Sequence, residues 1–151
     1  MQRLLVIGAL VVAAVALAGG SASASGGSSS ETTLRFLEVR TSVQQVDVGA
    51  PGTSAGDEFI LGGRLRNQAD TETLGHSSDV CTVLSDTGAP LHCVSVVWLS
   101  GGTLELAGAA SGGPNFRLAI TGGTRAYDTA QGEVIASPGA NGNEVLTFDI
   151  D

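Results

Sequence analysis

Apolar and polar residues alternate in short runs along most of the chain, and each run ends at a cluster of Gly, Ser, Asn, Asp or Pro. A two-residue period sends successive side chains to opposite faces, so each run predicts a β-strand. The first spans Leu34–Val48, carrying Leu34, Phe36, Val39, Val43, Val46 and Val48; its parity slips between Phe36 and Val39, which predicts a bulge near Glu38. Asp57–Leu65, Leu74–Leu84, His92–Leu99 and Thr103–Ala109 follow as strands, with Gly-, Ser- and Asp-rich connections between them. Phe116, Leu118 and Ile120 share one face of the next strand, which turns at Gly122–Gly123; another begins at Gly132 and the last spans Glu144–Asp149. The paired glycines either take φ > 0 or lie against a neighbouring strand where a Cβ would clash. Tyr127, just beyond them, is placed to plug the mouth of whatever the strands enclose. No stretch of this region has helical periodicity. About eight short strands at regular spacing predict an all-β domain, and glycine pairs at strand ends favour a closed, strongly bent sheet.

The first residues follow a different plan. Arg3, the apolar run Leu4–Ala18 and the small residues after it have the order of a secretory signal peptide, with Ala22-Ser23-Ala24 as the cleavage site and Ala16-Leu17-Ala18 as the alternative. The run is shorter than the ~20 apolar residues a spanning helix needs, so a stable membrane anchor is not expected. The expected organisation is a signal peptide over 1–24, a flexible Gly/Ser-rich leader over 25–33 and one β-domain over 34–151, giving a secreted, extracellular protein. The ~120 residues that remain suffice for one self-sufficient core.

A formal charge of −8 argues against nucleic acid and anionic membrane surfaces as partners. The seven basic residues are all arginine and are scattered without forming a basic patch. There is no G-x-S-x-G elbow for a serine hydrolase, and no Lys to complete a phosphate-binding loop at Gly122-Gly123-Thr124. His76, Cys81, His92 and Cys93 fail as a metal site on strand parity, because neighbouring residues face apart and fewer than three ligands converge. A metal is therefore not expected.

Cys81 and Cys93 are the only cysteines. Asp86-Thr87-Gly88 lies midway between them, so a hairpin centred there sets them opposite each other, within bridging range. A disulfide suits an exported chain; a reactive thiol or a metal pair is the other reading. Glu38 stands between Leu37 and Val39 in an otherwise apolar strand. Facing a barrel interior it would be desolvated, with a raised pKa and acid–base capacity; facing outward it would be an ordinary solvated carboxylate.

The block G-G-T-R-A-Y-D-T-A-Q-G-E resembles the G-G-T-G-x-Y-x-G-A-x-G-E signature of the allene oxide cyclase-like and dirigent-like β-barrel family. G-D-E-F-I-L-G-G-R-L, V-C-T-V and W-L-S-G-G-T-L-E-L-A-G are similar to further family segments, in the same order. The resemblance implies an eight-stranded antiparallel calycin-like barrel with an apolar lumen, often assembled as a homodimer or homotrimer. It also implies a small apolar ligand and a cofactor-free cyclase, isomerase or stereocontrolling (dirigent-like) role; a non-catalytic binding or structural barrel is the alternative. The family's pocket glutamate falls on Glu38 and its pocket cysteine on Cys81, with Phe36, Phe59 and Tyr127 as further expected pocket residues. Its pocket tyrosine and asparagine fall on Ala110 and Arg40, and two signature glycines on Arg125 and Thr129, which departs from the cyclase pattern. A cavity that reaches Glu38 would favour a catalytic barrel, and a lumen packed shut would favour a structural one.

Overall fold

The computed structural model describes residues 31–49, 51–113 and 115–151. The expected signal peptide over 1–24 and most of the leader lie outside the described residues. Eight strands follow one another: β1 (Thr32–Val46), β2 (Glu58–Arg66), β3 (Thr73–Val83), β4 (Leu91–Leu99), β5 (Gly102–Ala110), β6 (Phe116–Gly123), β7 (Gly132–Pro138) and β8 (Glu144–Ile150). Each pairs antiparallel with its sequence neighbours, and β1 closes the sheet on β8, giving an up-and-down barrel without a free edge. This is the all-β class expected from the strand pattern and the eight-stranded calycin-like barrel that the family resemblance implied. The first strand starts at Thr32, two residues inside the expected leader.

The period-two pattern decides which side chains enter the lumen. Phe36 and Glu38 on β1, Leu65 on β2, Val97 on β4, Leu104 and Leu106 on β5, Leu118 and Ile120 on β6, and Leu146 and Phe148 on β8 are all buried. Phe36 and Phe148 meet edge to face at 5.8 Å within the core.

Two local expectations are corrected. The irregularity in β1 falls between Arg40 and Ser42, not at Glu38. Phe36 and Leu37 are both buried because they use opposite faces: Phe36 joins the core, while Leu37 lies outside, where a Cβ on Gly139 would stand 3.2 Å from its Cδ1. The apparent loss of parity is thus two-sided burial. Gly122–Gly123 is also not a turn, because β6 continues through both residues. Gly123 lies so close to β5 that a Cβ there would stand 2.3 Å from the Thr103 carbonyl oxygen. The chain turns later, through a 3₁₀ turn at Arg125–Tyr127.

Cys81 and Cys93 are direct cross-strand partners on β3 and β4 and form a disulfide, with Cα atoms 4.0 Å apart. The bridge closes a loop of 12 residues' separation. In the chain-entropy account such a loop contributes about 3 kcal/mol by restricting the unfolded chain. Replacing both cysteines by alanine should therefore lower unfolding free energy by about that amount in urea titration. A change below about 0.5 kcal/mol would show that the bridge adds nothing to the sheet's own pairing.

Candidate functional site

One end of the lumen is not filled. A cavity of about 170 Å³ lies toward the end carrying the β5–β6 connection, with Gly112 and Gly113 on its rim. Most of its wall is apolar, supplied by Leu61, Leu91, Val97, Leu106, Phe116, Leu118, Val134 and Leu146 together with both disulfide cysteines. One side is polar: Glu38, Arg40, Ser77, Asp79, Ser95 and Glu144.

Strand register brings these six together. Glu38 and Arg40 are two apart on β1 and so share a face. Glu38 lies directly opposite Glu144 of β8, Arg40 opposite Gly63 of β2, Gly63 opposite Ser77 of β3, and Asp79 opposite Ser95 of β4. Gly63 is required here: a Cβ would stand 2.3 Å from Glu38 Oε1 and 2.6 Å from Ser77 Oγ, the space their hydrogen bond occupies.

Glu38 is 4% exposed and accepts a short hydrogen bond from the Ser77 hydroxyl. Arg40 stands among three carboxylates, its guanidinium 3.3 Å from Glu144 Oε2, 3.4 Å from Asp79 Oδ2 and 3.8 Å from Glu38 Oε2. Burial pushes the Glu38 pKa above the ordinary glutamate range, with the Ser77 hydrogen bond and the Arg40 charge opposing it; Glu144 adds to the rise through its charge and a hydrogen bond. Burial likewise raises the Asp79 carboxyl, which the Ser95 hydroxyl opposes and the Glu38 charge reinforces. A carboxyl that holds its proton more tightly, set in an apolar chamber, can both deliver a proton and take one back.

A fourth carboxylate supports the chamber from outside. Asp57, wholly buried, accepts backbone N–H bonds from Val48 at 2.8 Å and Ser54 at 2.9 Å, which ties down the β1–β2 connection. These bonds, that from Val48 foremost, hold its pKa below the usual aspartate range.

Of the residues singled out from sequence, Glu38 and Cys81 line the cavity. Phe36 lies deeper, against Phe148, and Phe59 and Tyr127 pack on the core cluster; none of the three is on the cavity wall. Tyr127 belongs to the turn that packs on Gly101, at the end opposite the opening, so it seals the closed end. Sequence reading missed Ser77, Asp79, Ser95 and Glu144 and treated Arg40 only as the loss of an asparagine. Counting back in twos along β3 from the lumen-facing Cys81 reaches Asp79 and Ser77, and counting forward from Glu38 reaches Arg40.

No protein-family model and no curated protein matches the chain. Solved structures do. A pyocyanin demethylase is 24% identical with a TM-score of 0.72, over 80% of this chain and 100% of that one. The pterocarpan synthase dirigent protein GePTS1 is 24% identical with a TM-score of 0.60, over 80% and 85%. The Diels–Alderase AbmU from Streptomyces koyangensis is 15% identical with a TM-score of 0.59, over 82% and 71%. The chain therefore has the barrel fold that dirigent proteins, this demethylase and these cyclising enzymes share, as the signature block implied.

Proposed function

We propose that the protein is a small-molecule barrel that folds a compact apolar substrate into a reactive conformer and promotes its cyclisation or isomerisation through its own side chains. The carrying observation is the cavity's polarity, apolar on most of its wall with Glu38 buried at one pole. Confinement in the apolar part supplies proximity and orientation, and Glu38 supplies the proton or stabilises developing positive charge. Arg40, Ser77 and Glu144 hold Glu38 in position and set how tightly it keeps its proton. Structural neighbours whose names denote stereocontrol and cycloaddition support this reading over that of a packed structural barrel. The disulfide and the signal-like N-terminal pattern support export to an oxidising compartment.

The direct test is NMR titration of the Glu38 carboxyl. The expected result is a midpoint above the ordinary value of 4.5. A midpoint at or below it would leave Glu38 fully ionised at neutral pH and remove the acid from the mechanism.

A further inference from the structure

The polar pole of the cavity holds more acidic groups than basic ones. Three carboxylates, Glu38, Asp79 and Glu144, face one guanidinium, that of Arg40. Arg40 is already engaged by all three, its guanidinium hydrogen-bonded to Asp79 and to Glu144 and 3.8 Å from Glu38 Oε2. A separate observation points the same way. Ser95 Oγ, on a residue 2% exposed, lines the cavity directly across from Asp79, close enough to lower its pKa but without a hydrogen bond of normal geometry to any described atom, so its acceptor sites stay open. A hydroxyl oxygen has two acceptor sites, and a buried polar atom left unpaired is unfavourable. An N–H or O–H donor arriving in the cavity would satisfy it.

We infer that the cavity recognises a small cationic ligand: one ring's worth of apolar surface bearing a single protonated nitrogen. The ring lies against Leu106, Leu118, Val134 and Leu146, and the ammonium N–H groups bond to Ser95 Oγ and to the Asp79 and Glu144 carboxylates. The size follows from the volume: about 170 Å³ here, against roughly 150 Å³ for an engineered apolar cavity that takes up benzene. The charge follows from the excess of acidic groups: burial favours the protonated form of Glu38 and Asp79, and a cation beside Asp79 offsets that desolvation and favours its ionised form. This inference rests on the proposed reading of the cavity as a substrate chamber and names the substrate class.

The charged and ionisable groups at the cavity wall are Glu38 and Arg40 on β1, Asp79 on β3 and Glu144 on β8; among the described residues the other strands present none there. The test uses three one-ring probes on the full chain, benzylammonium, benzyl alcohol and benzoate, with affinities measured by calorimetry. Benzylammonium should bind about tenfold or more tightly than benzyl alcohol at pH 7, the worth of at least one charge-assisted hydrogen bond. Its affinity should fall from pH 7 to pH 4 as Asp79, whose pKa burial raises, takes up its proton, while that of benzyl alcohol stays flat. Glu144→Gln, an isosteric change at a partly exposed position, should weaken benzylammonium about tenfold and leave benzyl alcohol unaffected. Equal affinity for the alcohol and the ammonium, or preference for benzoate, would overturn the inference and leave the acid–base chamber standing. Binding of none of the three would overturn both.

Discussion

Gly132→Ala should lower the melting temperature by roughly 10 °C, about 2–5 kcal/mol of stability, although it adds a single methyl group. Gly132 opens β7 at φ +129°, a conformation that an L-residue with a Cβ adopts only under strain of about 1–2 kcal/mol. Its Cβ would also stand 2.0 Å from the carbonyl oxygen of Asp149 and 3.0 Å from the carbonyl carbon, both backbone atoms of β8. Relief requires β7 and β8 to separate, yet Gly132 is paired with Ile120 of β6 and with Ile150 of β8. In a closed barrel a strand cannot step aside without opening a seam elsewhere. Gly112→Ala is the matched control: its φ is +76°, but nothing lies within 4 Å of the added Cβ. It should lose only the conformational part, about 1 kcal/mol. Calorimetry on both variants decides the matter, and equal losses would show that the β7–β8 seam gives way freely.

Strand number and the all-β class were legible because each depends on period-two burial and on the turn residues between runs; the closed antiparallel barrel was legible through the family resemblance. What misled was burial on both faces. Leu37 beside Phe36 looks like a slip in parity when neighbours on two sides of one strand are each covered. The site was half legible. Glu38 stood out as a charge in an apolar strand, and the disulfide followed from the hairpin centred on Asp86-Thr87-Gly88, whose register the sheet bears out. Asp79 and Ser95 did not stand out, because Ser, Asp and Cys at alternate positions of β3 and β4 read equally well as a solvated face. Only closure of the barrel shows that this face is the inner one. Glu144 was hidden for a different reason. It opens β8 after a polar turn, where an acidic residue is unremarkable, and it reaches Glu38 only because β8 pairs with β1 across most of the length of the domain.

Glu38→Gln is expected to reduce turnover of the natural substrate by about 10²–10⁴-fold while the fold is kept or made more stable. The amide matches the carboxylate in shape and can still accept from Ser77, so the local hydrogen bond survives. What is lost is the proton and the charge. Because burial raises its pKa in the folded state, folding favours the protonated form. At pH values below the unfolded value near 4.5, the group is protonated in both states and costs the fold nothing. As pH rises, the unfolded chain releases its proton first, so stability falls until the folded pKa is passed and stays reduced above it. Glutamine removes this slope. Asp79 contributes in the same sense, and part of its own rise comes from the Glu38 charge, so its pKa should move back toward the ordinary range in the variant. Asp57 contributes oppositely: its lowered pKa stabilises the fold above about 3.8 and is lost only as pH falls below that value, outside the window that reports on Glu38. Urea titrations from pH 5 to 8 on both proteins should therefore show a downward slope in the parent and a flatter one in Glu38→Gln. Parallel slopes with undiminished turnover would mean that Glu38 is neither the buried acid nor the group on which the chemistry depends.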